Sequence, residues 1–348
     1  MAIIWGSVIS YIAISLFFYY YLYRFSLDIR MHIVLSFVMG LLGINIHSTL
    51  FMLMLHFVVL TLIMDSILCI FHVRQPTKYK YYVFFPFSLF LSLAFILYGT
   101  WNMHTIVRKQ YNIQASQTLS KPYRIVLMAD MHYPTNLTSS ELSELLNRIC
   151  SEEGDALILA GDMIDEFTSE KEIKDLYNQL SVLAKDIPVI YVLGNHDNGI
   201  YGTQSIDDDT LEEIIESYGM ICLRDSSYFI NDELLIIGRD NYKNKARKSI
   251  DELTQHINNN TFNIMVDHKP MELIQTSLHS INLHLSGHTH GGQIFPMYYL
   301  YEVFNINELN YGLASYNQMK AINTSGVAGW GFPVRTQFNS EYVVIDIN

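Results

Sequence analysis

YRIVLMADMH, residues 123–132, decides the fold: a mostly apolar run suited to a buried strand leads straight into an Asp-x-His pair. The pattern recurs downstream in DALILAGD (155–162), PVIYVLGN (188–195), LLIIGRD (234–240), FNIMVDH (262–268) and INLHLSGH (281–288). Such runs, several ending in an acid, Asn or His, read as strands covered on both faces. Residues 105–114 read as one more strand ahead of them. Polar stretches of helical character lie between most of the strands, at 169–185, 210–218 and 246–258. Ser139-Ser140 opens another helix, whose first turn carries Glu141 and Glu144 where the helix dipole favours acids. Strand-helix alternation predicts an α/β sheet covered by helices, with its ligand beyond the strand C-termini, where the polar residues collect.

Upstream of this region the composition changes. Residues 1–104 hold five Lys/Arg (Arg24, Arg30, Arg74, Lys78, Lys80) against Asp28 and Asp65, while the rest holds 17 against 32 acids. The net charge of −12 is thus +3 beside −15. So acidic a C-terminal part argues against a nucleic-acid partner, because phosphate backbones are gripped by Lys and Arg; a phosphate bound here calls for metal. Cys69, Cys150 and Cys222 stand in apolar contexts without a CxxC, which excludes a disulfide framework or zinc ribbon and reads as buried thiols.

Four apolar runs, about 2–23, 31–46, 49–71 and 81–103, predict a transmembrane bundle over residues 1–103, with GLLGINIHST (40–49) as a tight hairpin. The first has no small-residue cleavage site after FFYYYLYRF and reads as an anchor. Three spans are the alternative. Four put Arg24, Arg30, Arg74, Lys78 and Lys80 on one side and only Arg108 and Lys109 on the other, which places the domain from 104 to 348 outside the cytoplasm by the positive-inside rule. His56 and Asp65, nine residues apart on one helix, fall on opposite faces and read as bundle hydrogen bonding.

The strand ends carry the chemistry: Asp130-Met131-His132, Gly161-Asp162, Gly194-Asn195-His196-Asp197, Asp267-His268 and Gly287-His288-Thr289-His290. Side chains two apart on an extended segment point the same way, so an Asp-x-His or His-x-His pair can grip one ion. Carboxylate, amide and imidazole without thiolate suit Mn, Fe or Zn in hydrolytic work. His256, His279 and His284 match none of these positions and read as structural.

The order DxH, GDxxD, GNHD, His, GHTH resembles the calcineurin-like metallophosphoesterase superfamily over residues 104–348. SGHTHGGQ (286–293), preceded by DHKP, resembles its membrane-associated bacterial YkuE/YaeI-like branch and the chlamydial type of UDP-diacylglucosamine pyrophosphatase. The resemblance implies an α/β/β/α sandwich and a binuclear centre of two divalent ions. One ion would take Asp130, His132, Asp162 and His290, and the other Asp162, Asn195, His268 and His288. It further implies attack by a hydroxide shared between the ions, with His196 as proton donor and Asp197 orienting it. Asp165 fits the second acid of GDMID, as a turn residue or hydrogen-bond support rather than a ligand. Gly291-Gly292-Gln293 reads either as close backbone approach to the ions or as a plain turn. Arg335 reads equally as a contact to a substrate phosphate or as a surface salt bridge. Tyr133-Pro134 and Asn339-Ser340 depart from the family pattern in loops that would shape substrate choice.

The expected protein is a multi-pass, membrane-anchored phosphoesterase acting on a phosphodiester, monoester or pyrophosphate, with lipid or lipid-linked substrates preferred because anchoring concentrates the enzyme at that surface. The competing reading is a membrane transporter or sensor whose metal-binding domain reads a ligand. Oligomeric state is left open.

Overall fold

The structure, a computed structural model, describes residues 2–23, 28–70, 78–165, 167–197 and 206–348. Arg24 and Arg74, two of the charges in the orientation argument, lie outside the described residues. The chain divides into a helical unit, 1–101 with 331–336, and an α/β unit, 102–330 with 337–348.

The helical unit contains α1 (Ala2–Leu22), α2 (Ile29–Gly40), α3 (Thr49–Ile70) and α4 (Lys78–His104), whose last turn runs into the second unit. Among the described residues, three helices are long and apolar enough to cross a membrane, within α1, α3 and α4. The second run behaves differently from the others. Helix α2 is capped by Asp28, whose side chain accepts the Arg30 N–H, and tightens into a 3-10 turn at Leu41–Gly43, giving a shorter apolar helix over Ile29–Gly43. Small residues permit this turn to sit against α1: a Cβ at Gly43 would meet the Ser10 backbone at 3.0 Å. Aromatic rings pack the unit, with Phe57 edge-on to Phe85 at 4.7 Å and Phe17 tilted on Tyr21 at 4.4 Å. His56 Nδ1 donates to the Met52 carbonyl at 2.8 Å and its ring stacks on Phe95, whereas Asp65 accepts the Tyr21 hydroxyl. His56 and Asp65 of α3 therefore serve separate contacts.

The α/β unit is built on two six-stranded sheets. The first has strand order β1 (Ile106–Ile113), β12 (Ser340–Ile347), β2 (Tyr123–Met128), β3 (Ala156–Ala160), β4 (Val189–Val192), β5 (Ile221–Cys222). The second has order β10 (Gly312–Tyr316), β11 (Met319–Asn323), β9 (Leu283–Ser286), β8 (Phe262–Val266), β7 (Leu234–Gly238), β6 (Ser226–Asn231). Strand alternation sets the layers. Ile125 and Leu127 of β2, Ile158 of β3 and Ile190 of β4 meet Leu234, Ile236, Ile264 and Leu283 in a core between the sheets. Their neighbours Val126, Met128, Leu157, Leu159 and Tyr191 point the other way, onto α5 (Ser139–Cys150), α6 (Glu170–Leu183) and α7 (Asp208–Ser217). On the outer face of the second sheet, Leu235, Ile237 and Met265 pack with Ile250 and Leu273 of the short helices α8 (Ile250–Thr254) and α9 (Leu273–Thr276). The result is an α/β/β/α sandwich. The strand runs alone had implied one covered sheet; the second arises because both faces of β7, β8 and β9 are apolar.

Three details correct the sequence reading. The cap of α5 is Thr138, which exchanges bonds with Glu141 in a capping box, rather than the serines that follow it. Cys222 is buried, but Cys69 and Cys150 are exposed, at the ends of α3 and α5. The 246–258 stretch yields only the five-residue α8.

Candidate metal centre

Five strand ends deliver the singled-out residues to one place. Asp130 and His132 follow β2, Asp162 follows β3, Asn195 to Asp197 follow β4, His268 follows β8, and His288 and His290 follow β9. Three groups form there, each with ligand atoms within 4.8 Å of one another: His132, Asp165 and His196, and the two that hold most of the expected ligands, Asp130, His132 and His290, and Asp162, His268 and His288. His132 Nε2 and His290 Nε2 stand 3.3 Å apart, His288 Nδ1 and His268 Nε2 3.3 Å, and His268 Nε2 lies 3.0 Å from Asp162 Oδ2. The Asp162 carboxylate also lies 4.0 Å from His132, so it faces both ligand groups.

The backbone is bent to achieve this. Asp130, His132, Asp162, His288 and His290 all adopt left-handed φ, between 46° and 74°. Such conformations cost on the order of 1–3 kcal/mol each in non-glycine residues and persist where surrounding structure enforces them. Neighbouring glycines leave the room this needs: a Cβ at Gly194 would collide with Asp162, and one at Gly287 with Asp130 and Ala129.

Hydrogen bonds fix which ring nitrogen faces inward. His268 Nδ1 donates to the Ala160 carbonyl at 2.8 Å and His290 Nδ1 to the Ala328 carbonyl at 3.3 Å, leaving each Nε2 toward the site. Asp130 accepts the His288 N–H at 3.0 Å on each oxygen. Burial would raise the Asp162 pKa, but the charge and hydrogen bond of His268, together with the charges of His196 and His132, outweigh it and hold the carboxyl well below the usual range. Burial would likewise lower His268, yet Asp162 drives it up to about 10. His288 is pushed down to about 3 by burial and by His268, so it stays neutral, the state in which imidazole binds a metal.

The residues fit a pair of divalent ions. The Asn195 side-chain oxygen is buried with no hydrogen-bond partner among the described residues, which is costly unless something cationic meets it. Around it converge two carboxylates and four imidazoles with no thiolate, a donor set for borderline divalent metals.

His196 and Asp197 part company. Asp197 was expected to orient the His196 ring. Its carboxylate instead accepts the backbone N–H groups of Asp162, Ile164 and Gly194 and the Tyr191 hydroxyl, at 2.8–3.1 Å. Burial and the Asp162 charge raise its pKa to about 6. The carboxylate beside the imidazole is that of Asp165, 3.7 Å from His196 Nδ1 and 3.7 Å from His132 Nδ1. On its other side His196 meets the Trp330 indole, tilted at 4.9 Å. Trp330 stands between Gly329 and Gly331 and was not singled out in the sequence, since one aromatic between glycines carries no positional signal. Arg335 is fully buried in the 331–336 segment of the helical unit, where its N–H donates to the Gly99 carbonyl at 2.9 Å, so it is not a surface salt bridge. Gly291 and Gly292 both have positive φ, and Gln293 accepts the Trp330 N–H at 3.0 Å.

A two-layer sandwich with Asp, His and Asn gathered on its strand ends defines a metal-dependent phosphoesterase. Residues 123–292 match the calcineurin-like phosphoesterase family, and the chain carries a calcineurin-like metallophosphoesterase domain. It is 27% identical to an uncharacterized metallophosphoesterase of Campylobacter jejuni, over 76% of this chain and 69% of that one. To the metallophosphoesterase YkuE of Bacillus subtilis it is 28% identical, over 51% and 61%. It is 24% identical, over 63% and 51%, to a transmembrane protein with a metallophosphoesterase domain from Danio rerio. These matches span between about half and two thirds of the relatives' own lengths.

Proposed function

We propose that the chain is a membrane-tethered phosphoesterase that cleaves a phosphoester in a lipid or lipid-linked substrate, on the outer side of the membrane. The convergence of Asp130, His132, Asp162, Asn195, His268, His288 and His290, with the buried Asn195 oxygen otherwise unanswered, is the observation that carries the hydrolytic reading. Asp130, His132, Asp162 and His290 would hold one divalent ion, and Asp162, Asn195, His268 and His288 the other. Two such ions, Mn, Fe or Zn, neutralise charge on the phosphate and make water acidic enough to attack at neutral pH. The chain's own part is then positional. Asp162 faces both ligand groups, and the fixed Nε2 atoms of His268 and His290 require no rearrangement. His196, with Nδ1 toward Asp165, presents Nε2 to the substrate and protonates the departing oxygen.

Three apolar helices of spanning length ahead of the domain support a membrane location, which favours substrates concentrated there, and the outer side requires that the shorter α2 cross as well. The test is hydrolysis of an aryl phosphodiester and of a panel of phospholipids and lipid pyrophosphates by the full chain, with Mn, Fe and Zn compared. Metal-dependent turnover abolished by chelation, and fastest on a membrane lipid, is expected. Turnover that survives chelation would overturn the hydrolytic reading, and a preference for soluble esters the lipid one.

A further inference from the structure

Helix α10 (Met297–Phe304) follows the candidate centre closely in the chain and has no buried residue. Its inner side, Met297, Tyr298 and Tyr301, is half-buried, while Tyr299, Leu300, Val303 and Phe304 are exposed and Ile306 is exposed just beyond it. Positions 299, 300, 303 and 304 share one helix face. Val303 is 72% exposed and Phe304 67%, so the domain leaves this apolar surface uncovered. Residues 294–306, IFPMYYLYEVFNI, hold a single charged side chain, Glu302, which accepts the Asn310 amide at 2.7 Å. A contiguous apolar face of this kind marks a place where another surface docks.

Contacts within the α/β unit show which surface is at hand. The Tyr298 ring stands edge-on to Phe338 at 5.1 Å, and the Tyr298 N–H donates to Gln337 Oε1 at 3.3 Å. The Phe338 carbonyl in turn accepts the Asn102 side-chain amide at 2.5 Å, and the Ser340 hydroxyl donates to the Met103 carbonyl at 2.8 Å. Asn102 and Met103 lie in the last turn of α4, whose stretch Val83–His104 is apolar and long enough to cross a bilayer. Helix α10 is therefore fastened, through Phe338, to the end of a helix of spanning length. It is also fastened to the loop of the centre, since a Cβ at Gly292, two residues after His290, would meet the Tyr298 backbone nitrogen at 2.5 Å. We propose that α10 lies in the membrane interface, with Tyr299, Leu300, Val303 and Phe304 among the headgroups and upper acyl chains. Tyrosine suits that depth because its ring is apolar and its hydroxyl is not. With no Lys or Arg on the face, apolar burial alone holds it, and anionic lipid is not required. The His290 loop is thereby kept at the bilayer surface, where a lipid phosphoester is met without leaving the membrane. The proposal rests on the membrane reading, in which α4 crosses.

The test measures nitroxide accessibility in the full chain, reconstituted into phosphatidylcholine nanodiscs in a Cys69→Ser/Cys150→Ser background, which leaves the buried Cys222. Labels are placed singly at Val303→Cys on α10, at Leu97→Cys, exposed within α4, and at Val182→Cys, exposed in the last turn of α6. Collisions with oxygen, which partitions into lipid, are compared with collisions with a nickel chelate, which stays in water. At Val303 the oxygen-to-nickel ratio is expected to approach that at Leu97 and to exceed that at Val182. A water-like ratio at Val303 beside a lipid-like one at Leu97 overturns the proposal. A Val303 label shielded from both reagents overturns it too, because protein rather than lipid would then cover the face. A water-like ratio at Leu97 overturns the membrane reading itself, and this inference with it.

Discussion

Asp162 and Asp197 hold two catalytic-side loops together by exchanging backbone bonds: Asp197 accepts the Asp162 N–H at 2.8 Å, and Asp162 accepts the N–H of His196, beside Asp197, at 2.8 Å. The candidate bridging carboxylate is thereby fixed from behind. Asp197→Asn turns one acceptor oxygen into a donor facing backbone N–H groups, which costs about 1–3 kcal/mol and loosens Asp162. Metal affinity is expected to fall by about 10–100-fold, the usual effect of losing such support. Unchanged metal content and unchanged Tm in Asp197→Asn would show that this clamp is dispensable.

His196→Ala should leave both ions bound and lower kcat by about 10²–10⁴-fold, the usual contribution of a positioned proton donor. The deficit should shrink for aryl phosphodiesters with very acidic leaving groups, which need no proton. Asp165→Asn should produce a smaller loss of the same leaving-group pattern, because Asp165 is the carboxylate beside the His196 ring. A leaving-group series with parallel slopes for the natural enzyme and His196→Ala would remove the proton-donor role.

The ligand positions were legible in the sequence because each follows an apolar run, but the directions of Asp130, His132, Asp162, His288 and His290 were not, since the side-chain alternation of an extended strand gives way there to left-handed turns. Long-range choices were not legible either. Nothing in GNHD or GDMID says which carboxylate meets the imidazole; that depends on how the loop after β3 curls back so that Asp165 reaches both His132 and His196. The second sheet could be expected from the family resemblance but not from strand patterning alone, since a run such as FNIMV covers both faces without naming its neighbours.

Acid should weaken the α/β unit. Glu152 accepts Arg108 Nε and the Tyr342 hydroxyl, each at 2.7 Å, and Asp346 accepts Arg124 Nε at 2.7 Å. Burial raises the Glu152 pKa, but the bonds from Arg108 and Tyr342 and the charges of Arg108 and Arg124 together outweigh it, and the bond from Arg124 lowers that of Asp346. A carboxyl whose folded pKa is depressed contributes stability above its unfolded value, about 4, and loses it as pH falls through the folded value. The share of Tm contributed by these two carboxyls should therefore be constant from neutrality to about pH 5 and be lost below about pH 4, and the difference between the natural protein and a double variant isolates it. The Glu152→Gln/Asp346→Asn variant should start lower and decline less steeply. Identical slopes for the two proteins would assign the acid sensitivity elsewhere.

The orientation of the domain can be read with its own thiols. Lys78 and Lys80 open α4 at one end and Arg108 and Lys109 follow it at the other, so a single helix separates the two basic groups. If α2 crosses together with α1, α3 and α4, the pairs Arg24/Arg30 and Lys78/Lys80 share the cytoplasmic side and the domain lies outside. If the shorter α2 stays at the surface, three crossings leave the domain in the cytoplasm. Cys150 is exposed on the domain and Cys222 is buried, so in a Cys69→Ser background an impermeant maleimide applied to intact cells reports the position of Cys150 alone. Labelling at Cys150, lost in Cys150→Ser, is the expected result. Labelling only after the cells are opened would put the domain in the cytoplasm, leave α2 uncrossed, and move the substrate to the inner leaflet.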